Sequence, residues 1–168
     1  MNTTNLNVKP ETVSIYGGAF HAPPIPSPVI YLIGALKNQS IPEYGVALRE
    51  FGYDVFDDWF TPGKNADVYW KKYSQARGQT YKEALNSWAA KHIFAFDKYH
   101  LDRADIGVLV MPAGKSGHLE LGYLTGQGKP TFIFWPDGEP PEDKWEIMVK
   151  FATPVFSFSE LVEELNDI

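Results

Sequence analysis

Ile106-Gly-Val-Leu-Val-Met-Pro-Ala-Gly-Lys-Ser-Gly-His-Leu-Glu-Leu-Gly-Tyr123 is the stretch on which the fold turns. Its first five residues are apolar and β-rich, as a strand buried on both faces requires. Met111 to Gly114 then form a tight turn, and the remainder reads as a helix with Glu120 in its first turns. A strand leading through a Gly-rich turn into a helix is half of a βαβ unit. In an open α/β sheet, the loop after a strand's carboxyl end faces the ligand.

Upstream, Val29-Ile-Tyr-Leu-Ile33 reads as the first core strand, ending at Gly34. Ile41 to Phe51 has helical spacing, with Pro42 suited to its first turn and Gly52 to its stop. Tyr53-Asp-Val-Phe56 is a second strand, with Asp57-Asp58-Trp59 at its end. A loop over Thr61 to Ala66 leads to a helix from Asp67 to about Arg77, broken near Gly78. Thr80 can cap the next helix, in which Leu85, Trp88, Ala89, Ile93 and Phe96 recur at helical spacing.

Downstream of the central stretch, Gly128 stops the helix. Thr131 to Trp135 is strand four, and Pro136 to Asp143 a polar loop. Lys144 to Val149 suits a short helix, and Pro154 to Phe158 a fifth strand. Ser157 with Glu160 resembles a capping box for a last helix that buries Leu161, Val162 and Leu165. This alternation predicts an α/β fold: a flavodoxin-like, doubly wound, five-stranded parallel sheet in the order 2-1-3-4-5, with a helical insertion after strand 2. The loops after Ile33 and Val110 then face one crevice. Residues 1–28 read as an N-terminal arm, closed by Pro23, Pro24, Pro26 and Pro28, and residues 29–168 as a single α/β domain. Within the arm, Thr12 to His21 suits a strand or turn packed on the domain. It starts like a nucleotidyltransferase, but no His-x-Gly-His pair follows.

Composition narrows the function. The 168 residues suffice for one domain with a sizeable core. A net charge of −6 without any Lys/Arg block argues against a nucleic acid polymer as partner. With no cysteine, neither disulfides nor thiol chemistry are available. The four histidines are scattered, and His118 and Glu120, two apart, point to different helix faces, so no metal site is expected. No apolar run approaches the roughly 20 residues of a membrane span. The opening residues lack the pattern of a signal peptide, and the expected compartment is the cytoplasm. At 15%, aromatic residues can fill a core and also line a pocket for a base.

Two phosphate motifs fail on inspection. Gly114-Lys-Ser116 looks like the end of a P-loop, but Leu109 stands where that motif needs its first glycine. The dinucleotide pattern Gly-x-Gly-x-x-Gly is absent from the turn. What remains is Glu120 near a helix N-terminus. There it either complements the helix dipole on a solvated face or, in a dry cleft, attacks an anomeric carbon. The N–H groups of the turn and the Ser116 hydroxyl suit a sugar hydroxyl or 5′-phosphate. Asp57, Asp58 and Trp59 either form a turn or line a base pocket, Trp59 by stacking. His118 either contacts sugar or phosphate or is simply exposed.

Tyr31-Leu-Ile-Gly34, Asp97 upstream of Ala104-Asp105, and Gly117-His-Leu-Glu-Leu-Gly-Tyr123 followed by Gly128-Lys129 together resemble the nucleoside 2-deoxyribosyltransferase family. That family includes N-glycosidases of nucleoside 5′-monophosphates. The resemblance spans about Val29 to Pro130. It implies that Glu120 is the nucleophile, that Asp97 assists proton transfer near the base, and that Tyr31 orients the nucleophile. Read from the sequence alone, Asp97 equally suits a helix-end ion pair and Tyr31 a core aromatic. Asp105 reads as a structural residue. The resemblance implies no cofactor and a small-molecule nucleoside or nucleotide partner, with a free base as acceptor. It also implies a homo-oligomer, because related enzymes complete their sites from a neighbouring subunit. Transferases of the family carry an acidic residue about six positions before the nucleophile, and here that position is Gly114. Lys115 and Ser116 follow it. Losing an anion and gaining a cation and a hydroxyl suits a 5′-phosphate. Gly34, Asp58, Trp59 and the run Gly114, Lys115, Ser116, Gly117 and His118 are thus the expected substrate contacts. Two other readings share the pocket: a phosphoribohydrolase of the cytokinin-activating type, with the same Pro112-to-Glu120 spacing, and a nucleotide-sensing module without turnover.

Overall fold

A computed structural model describes residues 27–168. The expected arm and its Thr12 to His21 segment lie outside the described residues, except for Ser27 and Pro28. Five parallel strands form one sheet in the order β2-β1-β3-β4-β5: β1 (Val29–Ile33), β2 (Asp54–Phe56), β3 (Ile106–Val110), β4 (Thr131–Phe134) and β5 (Thr153–Val155). This is the flavodoxin-like order expected, with the reversal of strand order between β1 and β3. Among the described residues, six α-helices accompany the sheet: α1 (Ile41–Glu50), α2 (Ala66–Ala76), α3 (Tyr81–Leu85), α4 (Trp88–Arg103), α5 (Lys115–Gly126) and α6 (Phe158–Asn166).

Successive strand residues face opposite sides, so each strand feeds two cores. Ile30 and Leu32 of β1, Ile106, Val108 and Val110 of β3, and Phe132 and Phe134 of β4 pack with Ile41 and Leu48 of α1 and Leu161 and Leu165 of α6. Tyr31, Ile33, Leu109 and Ile133 point the other way, onto Leu101 at the end of α4 and Leu121 and Leu124 of α5. Tyr31 therefore lies on the same face as Glu120 and Asp97 because of strand parity alone. Its neighbour in register across β1–β3 is Gly107. A Cβ at Gly107 would lie 2.6 Å from Leu124 Cδ1 and 3.3 Å from Thr131 Cγ2, so the glycine lets α5 settle onto β3.

Three segments differ from expectation by more than one residue. The single helix expected after Thr80 is two. Thr80 caps α3 through a full capping box with Glu83, and Ser87 caps α4 by accepting from the Ala90 N–H. A second strong N-cap restarts the helix where periodicity alone suggests continuity. The expected buried face of that segment is also open, with Leu85, Trp88, Ile93 and Phe96 exposed. Strand five ends at Val155 because Ser157 caps α6, accepting from the Glu160 N–H, while Glu160 reaches back to the N–H of Phe156. The short helix expected over Lys144 to Val149 is instead two 3-10 turns, Glu142–Lys144 and Ile147–Phe151.

Candidate active site

α4 and α5 lie side by side over β1 and β3, and a network along their contact fixes their spacing. Tyr123 donates to Asp102 Oδ1 at 2.6 Å, and Lys98 reaches both oxygens of the same carboxylate at 2.6 and 2.7 Å. Lys98 also sits 4.7 Å from the centre of the Tyr123 ring. Lys129 Nζ donates to the carbonyls of Leu101 and Asp102, closing the C-terminal end of α4. Gly117 lets α5 approach the sheet, since a Cβ there would lie 2.9 Å from Leu109 Cδ1 and 3.1 Å from Ile33 Cγ2. In the same last turn of α4, His100 stacks on Phe56 with centroids 3.7 Å apart and accepts from Arg103 Nε at 2.8 Å. That bond requires an unprotonated Nδ1. Burial and the neighbouring guanidinium hold the imidazole below its usual pKa. Asp105 accepts from the Val29 N–H at 2.8 Å, the structural task expected of it.

Within this frame Tyr31, Asp97 and Glu120 come together. The Tyr31 side chain is buried, with its ring 5.0 Å from that of Phe56. Burial, then the charges of Glu120 and Asp97, hold its hydroxyl well above the ordinary phenol pKa, so it stays protonated and can donate. Burial raises the pKa of Asp97. Burial first, and Asp97 second, raise that of Glu120 from 4.5 to about 7. The expected stabilisation of an ionised Glu120 by the helix N-terminus does not decide its charge. Glu120 is in the second turn of α5, beyond the free N–H groups of the first, and dipole effects fade within one turn. Two carboxyl groups in one partly dry site cannot both ionise cheaply, so one holds a proton near neutral pH.

The other expected residues are distributed around this group. Gly34 ends β1, and any Cβ there would collide with Ile41, so its glycine is a packing requirement. Asp58 and Trp59 form a 3-10 turn after β2, Asp58–Phe60. The Trp59 indole N–H donates to the Leu32 carbonyl at 2.7 Å, and the ring packs against both cores. It is fixed beside the carboxyl ends of β1 and β2. Asp57, next to it, pairs with Arg49. Gly114 is the N-cap of α5 in an extended conformation with no side-chain cap, and Lys115 and Ser116 open the helix, both exposed. His118 turns away from Glu120. Its Nδ1 lies 2.8 Å from the Gly114 carbonyl, and it lines a separate groove of about 1080 Å³ between α5, β4 and the 3-10 turns. That groove is lined by neither Glu120 nor Asp97.

A second hollow of about 480 Å³ lies between α2, α3 and the first turn of α5, lined by Trp70, Ser74, Gln79, Tyr81 and Ser116 among others. The sequence marks α2 as a helix but gives it no role at the site. The signal available was the stripe Asp67, Trp70 and Ser74, which share one helix face. Among the described residues, no three His, Asp or Glu side chains converge to hold a metal ion, and no helix is long and apolar enough to cross a membrane.

A solved 2-deoxyribosyltransferase from the psychrotolerant bacterium Bacillus psychrosaccharolyticus superimposes on this chain with a TM-score of 0.51. The chain shares the fold of that transferase. The match covers 79% of this chain and 89% of the other at 19% identity. That enzyme is described as a biocatalyst for the synthesis of antiviral and antitumoral nucleosides. No family model matches the chain, and no curated protein matches it significantly.

Proposed function

We propose that this protein belongs with the nucleoside 2-deoxyribosyltransferases and related N-glycosidases, and breaks the N-glycosidic bond of a nucleoside or its 5′-monophosphate. The observation that supports this most is the shared burial of Glu120 and Asp97 beside the Tyr31 hydroxyl. In the reactive form of the pair the one proton sits on Asp97 and Glu120 is ionised, and Glu120 attacks C1′ of the sugar. The C1′–N bond breaks, and the base leaves with the bonding pair and takes a proton from Asp97. The product is a glycosyl ester of Glu120. Water or a second base then attacks C1′ and frees the carboxylate, and Asp97 accepts the incoming nucleophile's proton. Tyr31, held protonated, orients the Glu120 carboxylate by donating to it.

Residues Gly114, Lys115 and Ser116 hold the 5′ end. The first N–H groups of α5 have no side-chain cap, and Lys115 and Ser116, both exposed, are the first two residues of that helix. An anion at a helix N-terminus satisfies these donors, which favours a 5′-monophosphate over a free nucleoside. Residues 29–168 act as one catalytic domain, in the cytoplasm, without a cofactor. A homo-oligomer is part of the same reading. Among the described residues Trp88, Leu119 and Ile147 are 89%, 76% and 79% exposed, apolar side chains that a second copy would cover. Sedimentation of the full chain should give a mass above the monomer, and a monomer at micromolar concentration would remove that part.

The test of the reaction is a panel of nucleosides and 5′-monophosphates, each with and without a free acceptor base, with products identified by mass. Release of free base or formation of a new nucleotide is expected, fastest from monophosphates. Nucleosides cleaved far faster would overturn the phosphate assignment, and no base release from any member would overturn the function.

A further inference from the structure

One side of α4 is turned to water and carries no charge. Trp88, His92, Ala95 and Tyr99 follow one another at helical spacing, with Ala89, Ile93 and Phe96 beside them. None of these is Lys, Arg, Asp or Glu, and all are exposed, Ile93 at 55%, Phe96 at 43% and Tyr99 at 64%. Lys91, Asp97, Lys98 and Asp102 lie on the other sides of the helix. A helix side that faces solvent normally carries the charges, so an apolar stripe of about three turns calls for a cover.

The chain that precedes β1 leaves the sheet at the foot of this stripe. The Val29 N–H donates to Asp105, just after α4, and the Pro28 carbonyl accepts from the Asp54 N–H at 3.1 Å. Asp54 in turn pairs with Arg103 at 3.2 Å. Arg103 follows Tyr99 by four residues and Phe96 by seven, so it stands on the same side of α4 as both. Residues 1–26, outside the described residues, therefore start beside the uncharged stripe.

We infer that Pro23-Pro-Ile-Pro26 packs along this side of α4, over Tyr99, Phe96 and Ile93. The lengths agree. From Arg103 back to Tyr99, Phe96 and Ile93 the helix rises by about 6, about 10 and about 15 Å. From Pro28 back to Pro26, Pro24 and Pro23 an extended proline-rich path covers about 6, about 12 and about 15 Å. The chemistry agrees as well. Proline-rich segments dock on aromatic side chains, and their restricted backbone has little freedom left to lose. Residues 12–26 contain no Lys, Arg, Asp or Glu, as an uncharged helix side requires. Trp88, at the far end of the stripe, is left to a second copy. Asp97 directly follows Phe96, so the same contact braces the turn of α4 that carries it. This docking does not depend on the proposed reaction and can fail or stand without it.

The test uses a spin label, which the lack of any cysteine allows at a single chosen position. The full chain is prepared with Ala22→Cys, labelled with 15N and with a nitroxide, and its amide spectrum is recorded before and after the nitroxide is reduced. The amide signals of His92 to Tyr99 should be strongly broadened by the nitroxide. Those of α6, on the opposite face of the sheet, should not. Pro24→Gly together with Pro26→Gly in the labelled chain should abolish most of the broadening and leave the other signals in place. An equal mixture of spin-labelled 14N chain and unlabelled 15N chain should show no broadening on α4. Unbroadened α4 signals in the labelled chain, or broadening that the two glycines leave intact, would overturn the inference. Equal broadening in the mixture would overturn it too, because a second copy would then bring the segment to α4.

Discussion

Replacing Asp97 by Asn removes a charge and keeps the shape, and its effect on Glu120 follows from the site. Glu120 titrates at about 7 rather than 4.5 for two reasons, burial and then the Asp97 carboxylate. Asp97 is the smaller cause, so it accounts for less than half of that rise. Asp97→Asn should lower the Glu120 pKa by about one unit, on the order of 1.4 kcal/mol, and burial should keep it well above the ordinary value. The assay is a carboxyl 13C titration of Glu-labelled protein, with the Glu120 signal assigned by its absence in Glu120→Gln. In the wild type the signal should titrate near pH 7, and in Asp97→Asn about one unit lower. The acid limb of the pH–kcat/KM profile should move by the same amount even as the rate falls for want of a proton donor. A wild-type midpoint near 4.5, or a midpoint unmoved by Asp97→Asn, would refute the coupling of the two groups.

The same burial sets a stability prediction. Glu120 holds its proton longer in the folded protein than in the unfolded chain, so folding is weakened as pH rises from about 4.5 through 7. Glu120→Gln should therefore be more stable than wild type at pH 8, by up to about 3 kcal/mol, and nearly equal to it at pH 4. Urea unfolding at the two pH values reads this. An equal effect at both would mean the charge is not the cause. Gly107→Ala places a methyl against Leu124 and Thr131 and should destabilise by about 1–3 kcal/mol, read as a lower urea midpoint with unchanged slope. No loss would show that α5 does not rest on β3 as closely as described.

The strands and the sheet order were legible because apolar runs between caps and glycines are local signals. Val29–Ile33 and Ile106–Val110 have the expected limits to the residue. The break at Ser87 was less so, since helical spacing carries straight through a cap. The apolar residues of α4 misled for a different reason: periodicity reports a face but not what covers it, and Trp88 and Ile93 remain open to solvent. At the site, Tyr31 and Asp97 were legible as partners of Glu120 only through the family resemblance; read alone they equally suited a core aromatic and a helix-end ion pair. Their charge state was not legible, because it depends on burial that only the packed helices create. The hollow around Trp70 was hidden too, since it needs α2, α3 and α5 in their final positions. Several motif residues have structural duties that spacing could not reveal: Tyr123 and Lys129 secure α4, and Gly117 seats α5.

The central claim is that Glu120 forms a bond to the sugar. Wild-type protein and Glu120→Gln are each mixed with a nucleoside 5′-monophosphate that the wild type cleaves, quenched in acid within the first turnover, and digested for peptide mass. The predicted result is a glycosyl 5′-phosphate adduct on the peptide containing Glu120 in the wild type, and none in the variant, which also releases no base. Base release by Glu120→Gln at the wild-type rate, or an adduct on another residue, would contradict it.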